Sequence, residues 1–199
     1  MTPLAALDSL NTPRLLLRAS DPAFAPATAA FYARNRTVHA QWNPPLPEAL
    51  FSTEGQHQRL AEAATAAAIG SGLGWWLFTR DAPDVAVGQI HFTQIARRAF
   101  CNAMLGYAVD SAHEGRGLMR EALQAALGDA FGPRVGLHRV QANVRPENTR
   151  SLGPARSPGL RARRPGTRVP VHRRRLARPC HDGPAPSALA ERPSAANLS

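Results

Sequence analysis

The chain contains no lysine: all 24 of its basic residues are arginine. That absence excludes the P-loop, whose G-x-x-x-x-G-K-[ST] pattern needs a lysine on the phosphates. Cysteine is nearly missing as well. Cys101 and Cys180 stand apart, without metal-type spacing, so no metal site is suggested and a reducing, cytoplasmic setting is expected. No run of about 18 apolar residues occurs, so no membrane-spanning helix is expected. Met1-Thr-Pro-Leu-Ala-Ala-Leu-Asp8 has no basic start and carries an early acid, unlike a secretory signal.

What is present fits a globular domain: 199 residues, 44% hydrophobic and 19% charged, enough for one proper core. The net charge of +10 invites a nucleic-acid reading until it is located. Residues 1–150 hold 14 Arg against 12 acids, a net of +2. Residues 151–199 hold 10 Arg against Asp182 and Glu191, a net of +8. The basicity belongs to the tail.

Along the chain, Thr12-Pro-Arg-Leu-Leu-Leu-Arg-Ala19 reads as a strand. Asp21-Pro22 starts a helix that continues through alanine-rich sequence to Arg36, with Phe24, Phe31 and Tyr32 as core candidates. Val38 to Leu50, holding Trp42 and three prolines, is expected to be a loop. Residues 55–69 form a second helix ending at Gly70 and Gly72. Leu73–Arg80, Val85–Phe92 and Ala99–Val109 read as strands, the first carrying Trp75 and Trp76, of which at least one is expected in the core. A helix from Arg116 and a strand at His138–Val144 follow. The fold class is α+β, a mixed sheet of α/β type in the order β-α-α-β-β-β-α-β.

The junction between the third of those strands and the next helix is the most informative stretch. Tyr107-Ala-Val-Asp-Ser-Ala-His-Glu-Gly-Arg-Gly117 runs from strand through loop into a helix. Met119, Ala122, Leu123, Ala126, Leu127 and Ala130 then line one helix face. Glycines there let backbone N–H groups converge on an anion at the positive end of the helix dipole. A dinucleotide fingerprint is excluded, because Arg120 stands where the third glycine or alanine is needed.

Ala112-His-Glu-Gly115-Arg-Gly117 resembles motif A of the GCN5-related N-acetyltransferases, [QR]-x-x-G-x-[GA], with Ala112 departing from the first position. The flanks Leu105-Gly-Tyr-Ala-Val109 and Gly117-Leu-Met-Arg-Glu-Ala-Leu123, and the phrase Thr12-Pro-Arg-Leu-Leu-Leu-Arg18, are similar to the RimJ/RimL branch. That branch acetylates protein N-termini; the RimJ member acts on the terminal alanine of a small-subunit ribosomal protein. The resemblance spans residues 12–151 and implies the GNAT acyl-CoA N-acyltransferase fold, acetyl-CoA as co-substrate, and a ribosomal-protein N-terminus as partner. It implies pyrophosphate held by backbone at Gly115, Arg116, Gly117, Leu118 and Met119, with charge from Arg116 and Arg120. Backbone of Tyr107 and Val109, with Asn143 and Asn148, would hold the cofactor arm. Ser151 would protonate the leaving thiolate, His91 or Glu114 would serve as base, and His113 lies too far into the phosphate loop. Trp42 and Asn43 would shape the acceptor groove. A small-amine or antibiotic acetyltransferase is the alternative within the class. A non-catalytic RNA binder using the arginine tail is the alternative outside it, weakened by the lack of aromatic residues among those arginines.

Two domains of character result: 1–151, an incomplete acetyltransferase domain, and 152–199, an Arg/Pro-rich tail. Residues 151–199 contain eight prolines and no Phe, Tyr, Trp, Ile or Met. Such a stretch is expected to stay disordered, since it buries too little to offset its ordering entropy. A one-base shift changes its character. Written GGC CCT GCT CGC TCG CCT GGG CTT, Gly153–Leu160 becomes A-L-L-A-R-L-G-F when one G is dropped. With suitable codons the shifted frame permits E-R-E-G-L-A-R-E-Y-L-F-I-D-G-A-W-R-D-H-V, an ending similar to that of the resembled branch. The tail therefore reads as the product of a single-base frameshift near codon 153, with a natural disordered basic extension as the alternative.

Overall fold

The computed structural model describes residues 9–155 and 169–172; the rest of the 152–199 tail lies outside the described residues. Strands β1 (Leu10–Asn11) and β2 (Leu15–Ala19) pair antiparallel. Asp21 caps a 3-10 turn at Pro22–Phe24, its carboxylate accepting from the Ala23 N–H at 2.8 Å, and the turn feeds helix α1 (Ala25–Ala40). Ser52 opens α2 (Thr53–Ala68), its hydroxyl accepting from the Gly55 N–H at 3.1 Å, which satisfies one orphan donor of the first turn. Then come β3 (Leu73–Thr79), β4 (Ala86–Ala96), β5 (Asn102–Val109), α3 (Leu118–Ala130), β6 (Arg139–Ala142), α4 (Thr149–Ala155) and β7 (Val169–His172).

The seven strands lie in sequence order in one sheet, and only β5 and β6 run parallel. A parallel neighbour needs a crossover, and α3 provides it. Met119, Ala122, Leu123, Ala126, Leu127 and Ala130 are all buried, joined by Leu118, so the stripe read from the sequence packs on one face of the sheet. On the other face Phe31, Tyr32 and Leu60 from α1 and α2 cover Trp76 and Phe78. Trp75 and Trp76 are neighbours in a strand and therefore face opposite ways; both are buried, one in each core.

The segment Val38–Leu50 is not wholly loop. Helix α1 continues to Ala40, and a 3-10 turn occupies Glu48–Phe51. No proline interrupts before Pro44, and the backbone N–H and side-chain amide of Asn43 both bond the His39 carbonyl, at 3.2 and 3.0 Å, to close the helix end. The helix predicted from Arg116 starts at Leu118, and the strand predicted at 138–144 shortens to Arg139–Ala142.

Candidate active site

Pairing between β5 and β6 stops at Leu105 with Ala142. Beyond it, Gly106–Val109 pair with β4 on one side only, through His91, Ile90, Gln89 and Gly88. The sheet therefore splits into a wedge with one strand edge of unpaired backbone, which an extended, amide-bearing ligand can join as an added strand.

At the wide end of the wedge the chain turns into α3 through two left-handed glycines, Gly115 (φ 72°) and Gly117 (φ 74°). Gly117 is the helix N-cap and brings no capping side chain, so the first-turn N–H groups of Leu118 and Met119 have no side-chain acceptor. A Cβ on Gly115 would meet nothing within 4 Å, so the loop faces open space. Arg116 and Arg120 are exposed beside it. This geometry suits a pyrophosphate: left-handed glycines opening onto space, a helix dipole, and the acid beside the glycines, Glu114, already paired with Arg150.

Two groups not singled out in the sequence hold that loop. The Arg14 side chain donates to the Arg116 carbonyl at 2.9 Å and to Glu121 Oε2 at 2.7 Å, and the Arg14 backbone N–H reaches Glu121 Oε1 at 2.9 Å. Burial alone would raise the Glu121 carboxyl, but hydrogen bonds from Thr12 and Arg14 outweigh it and hold it below the usual range. At the loop's start, buried Asp110 accepts from the Ala112 N–H at 3.0 Å and from Arg34 at 2.9 and 3.0 Å, while Asn35 accepts from the Ser111 N–H. Burial would raise Asp110 too; those donors prevail and keep it ionised.

Helix α4 closes the far side. Asn148 caps it, its side-chain oxygen accepting from the Ser151 N–H at 3.1 Å. The Tyr107 hydroxyl donates to the Ser151 carbonyl at 2.7 Å, and burial pushes the phenol's pKa upward, so it stays protonated. Glu114 is tied to Arg150 at 2.8 Å and joins the phosphate loop to α4. His113 sits in that loop, 4.0 Å from Asp110. Asn143 is exposed one residue past β6.

His91 lies on the α1–α2 face at the root of the wedge. A Cβ on Gly106 would fall 2.1 Å from its Nε2, so only glycine leaves the ring room. Its Nδ1 is buried without a partner. Burial first, then the charge of Arg59, lowers its pKa to about 4, leaving it neutral at pH 7. Trp42 is half-buried and Asn43 is exposed, its amide spent on the end of α1. His39, not singled out in the sequence, bonds the Val109 carbonyl at 3.1 Å and so joins α1 to the wedge. Among these residues, hydrogen bonds join Tyr107, Asn148 and Ser151, an ion pair joins Glu114 to Arg150, and His91 rests on Gly106 where the β5–β6 pairing has ended.

The His91 shift has a measurable consequence. Between pH 6.5 and about 4 the unfolded imidazole takes up a proton that the folded one refuses. Stability therefore falls as pH falls through that window, by an amount approaching roughly 3 kcal/mol. Denaturant unfolding of wild type and His91→Asn across this range should show the slope in the first and a flatter line in the second. Parallel lines would remove His91 as the cause.

A profile of the acetyltransferase (GNAT) domain matches residues 14–161. The chain is similar to the [ribosomal protein uS5]-alanine N-acetyltransferase of Escherichia coli strain K12, at 33% identity over 143 residues, covering 71% of this chain and 72% of that one. Its fold is similar to that of a ribosomal-protein-S5-alanine acetyltransferase from Vibrio fischeri, with TM-score 0.76, 22% identity, and coverage of 83% of this chain and 96% of the other. The Mycobacterium smegmatis RimJ, solved with CoA-disulfide, gives TM-score 0.70 at 24% identity, covering 86% of this chain and 88% of that one.

Proposed function

Since the chain belongs to the GNAT acetyltransferase family, we propose that it transfers acetyl from acetyl-CoA to the N-terminal amine of a protein, with a ribosomal protein bearing an N-terminal alanine as the first acceptor to test. The observation that carries this reading is the wedge, where β5–β6 pairing ends at Leu105 and Ala142 beside an uncapped helix opened by two left-handed glycines.

Bound acetyl-CoA supplies an activated thioester carbonyl. The chain's own residues do the rest. N–H groups from Gly115 to Met119 would take the diphosphate, Arg116 and Arg120 would add charge at the rim, and the Tyr107–Val109 edge, whose Val109 carbonyl is shared with His39, would align the extended arm. Ser151, at the start of α4, offers a hydroxyl proton on the leaving-group side, and the Tyr107 hydroxyl holds that turn of helix in place. Asn148 fixes the same turn and keeps its NH2 available. Glu114, committed to Arg150, acts as a strap rather than a free base. His91 is neutral at the root of the wedge and can accept a hydrogen bond from an incoming amine or from a water that removes its proton. Trp42 and Asn43 follow α1 at its C-terminal end, where Arg145 from the loop after β6 reaches the Gln41 carbonyl at 3.4 Å. They are assigned to the acceptor side.

The test is a release assay for the CoA thiol, with mass analysis of the product. A peptide beginning with alanine is expected to gain one acetyl group on its α-amine, with a kcat/KM at least about tenfold above spermidine or an aminoglycoside. A preference for the small amines would replace this reading with the other one in its class.

A further inference from the structure

A cavity of about 250 Å³ lies between α2 and the faces of β3 and β4, on the acceptor side of the sheet. Leu60, Ala63 and Trp76 make its walls largely apolar, and its lining includes Arg59, Gln89 and His91 together with the hydroxyl-bearing Ser20 and Thr93. Arg59 is held firmly but without an acid. Its guanidinium lies 5.4 Å from the Tyr32 ring centre and 5.9 Å from that of Trp76. One N–H donates to Gln89 Oε1 at 3.2 Å, and Gln89 in turn donates to the Tyr32 hydroxyl at 2.8 Å. Among the described residues, Arg14, Arg34, Arg36, Arg134, Arg145 and Arg150 each pair with a carboxylate; Arg59, like Arg18, Arg80, Arg116 and Arg120, is in no such pair, and of these only Arg59 lines the cavity.

A planar cation stacked on aromatic rings, with N–H donors unspent and apolar walls around it, is prepared for a carboxylate. The cavity also adjoins the reaction centre. The His91 ring forms the partition: it lines the cavity, while its Nε2 edge rests on Gly106, the first β5 residue beyond the pairing with β6. A ligand group in the cavity and an amine at the root of the wedge are therefore about one imidazole apart.

We propose that this cavity receives a carboxylate carried by the acceptor next to the amine that is acetylated, with Arg59 as the specificity-determining residue. The proposal rests on the reading of the wedge as the acetyl-transfer site. A carboxylate there comes either from an acidic residue near a protein N-terminus or from a free amino acid.

The test is calorimetric and needs no turnover. The full chain, saturated with CoA, is titrated with C-terminally amidated hexapeptides that begin Ala-Asp, Ala-Asn or Ala-Lys and are otherwise identical, and with free aspartate. The Ala-Asp peptide is expected to bind about tenfold or more tighter than Ala-Asn, as a charge-assisted hydrogen bond implies, with Ala-Lys weakest. In Arg59→Gln the Asp-over-Asn gap should close, and Arg59→Lys should restore part of it. Tighter binding of free aspartate than of any peptide would support the carboxylate site and assign its source to amino acids. Equal binding of the three peptides by wild type, or a gap that survives Arg59→Gln, overturns the proposal and leaves the acceptor reading standing. Failure of every ligand to bind overturns both.

Discussion

Gly117→Val is expected to weaken CoA binding by roughly 100-fold or more while the protein still folds. Gly117 sits at φ 74° as the N-cap of α3, a region where a β-branched residue is strained by about 1–2 kcal/mol. The variant relieves that strain by turning its backbone toward negative φ, which swings the neighbouring N–H groups out of the cradle. Two such charge-assisted hydrogen bonds lost, at about 1.5–3 kcal/mol each, account for the drop. A Cβ there would lie at ordinary contact distance from Arg14 Nη2, 3.6 Å, so the strain comes from the backbone and not from the Arg14 clamp on the Arg116 carbonyl. The fold should suffer little, because Gly117 is exposed and the buried stripe of α3 begins after it. A fall in Tm of about 3–8 °C is expected for a chain of this size. Calorimetry with CoA and a thermal melt on the same sample decide it. Unchanged CoA affinity would remove the glycine cradle from the site, and loss of the folded state would show that Gly117 serves the fold.

Removing one base at codon 153 is expected to change the protein more than any substitution. Gly153 and Pro154 fall inside α4, where glycine costs about 1 kcal/mol and proline about 3 kcal/mol relative to alanine. With the codons written above, the shifted frame would replace Gly-Pro-Ala-Arg-Ser-Pro with A-L-L-A-R-L, strong helix formers, and would remove the arginine- and proline-rich stretch that follows. The consequence reaches the site, because α4 carries the Ser151 carbonyl that holds Tyr107 and the Arg150 that holds Glu114. Conflict between local preference and the structure adopted marks a sequence not selected for it. Sequencing of the source DNA across codons 140–165, together with expression of both frames, is the check. The restored frame should give a sharper, higher melt and a rise in acetyl transfer of at least about tenfold. Equal melts and equal rates would mean the present frame is the working one.

How much of this was legible depended on the range of the interaction. The stripe of α3 could be read residue by residue because a helix repeats its buried face every three to four positions. The strands from Leu73 to Val109 were equally plain, carried by aromatic and β-branched runs. The glycine loop was visible because its glycines are needed for their backbone. The end of β5–β6 pairing is a missing set of hydrogen bonds and leaves no side-chain signature; the wedge came from family resemblance alone. Arg14 with Glu121, and Arg34 with Asp110, are joined across 107 and 76 positions, and no local pattern connects them. The sequence places His91 on the strand beside the wedge. Its neutrality and its fit against Gly106 needed the packing. Val38–Ala40 is helical although Pro44, Pro45 and Pro47 follow closely, because a proline disturbs only the turn before it.

The Arg14 clamp also bears on the order in which this chain becomes competent. Gly115, Gly117 and the first turn of α3 are near neighbours and can meet early, yet the residue that steadies their loop is contributed from the opposite end of the chain. Closing that loop costs configurational entropy that only the assembled sheet offsets. In a refolding experiment, the capacity to capture CoA should therefore arrive with the slowest phase, after the helical signal. Ligand capture then serves as a clock for completion of the long-range topology.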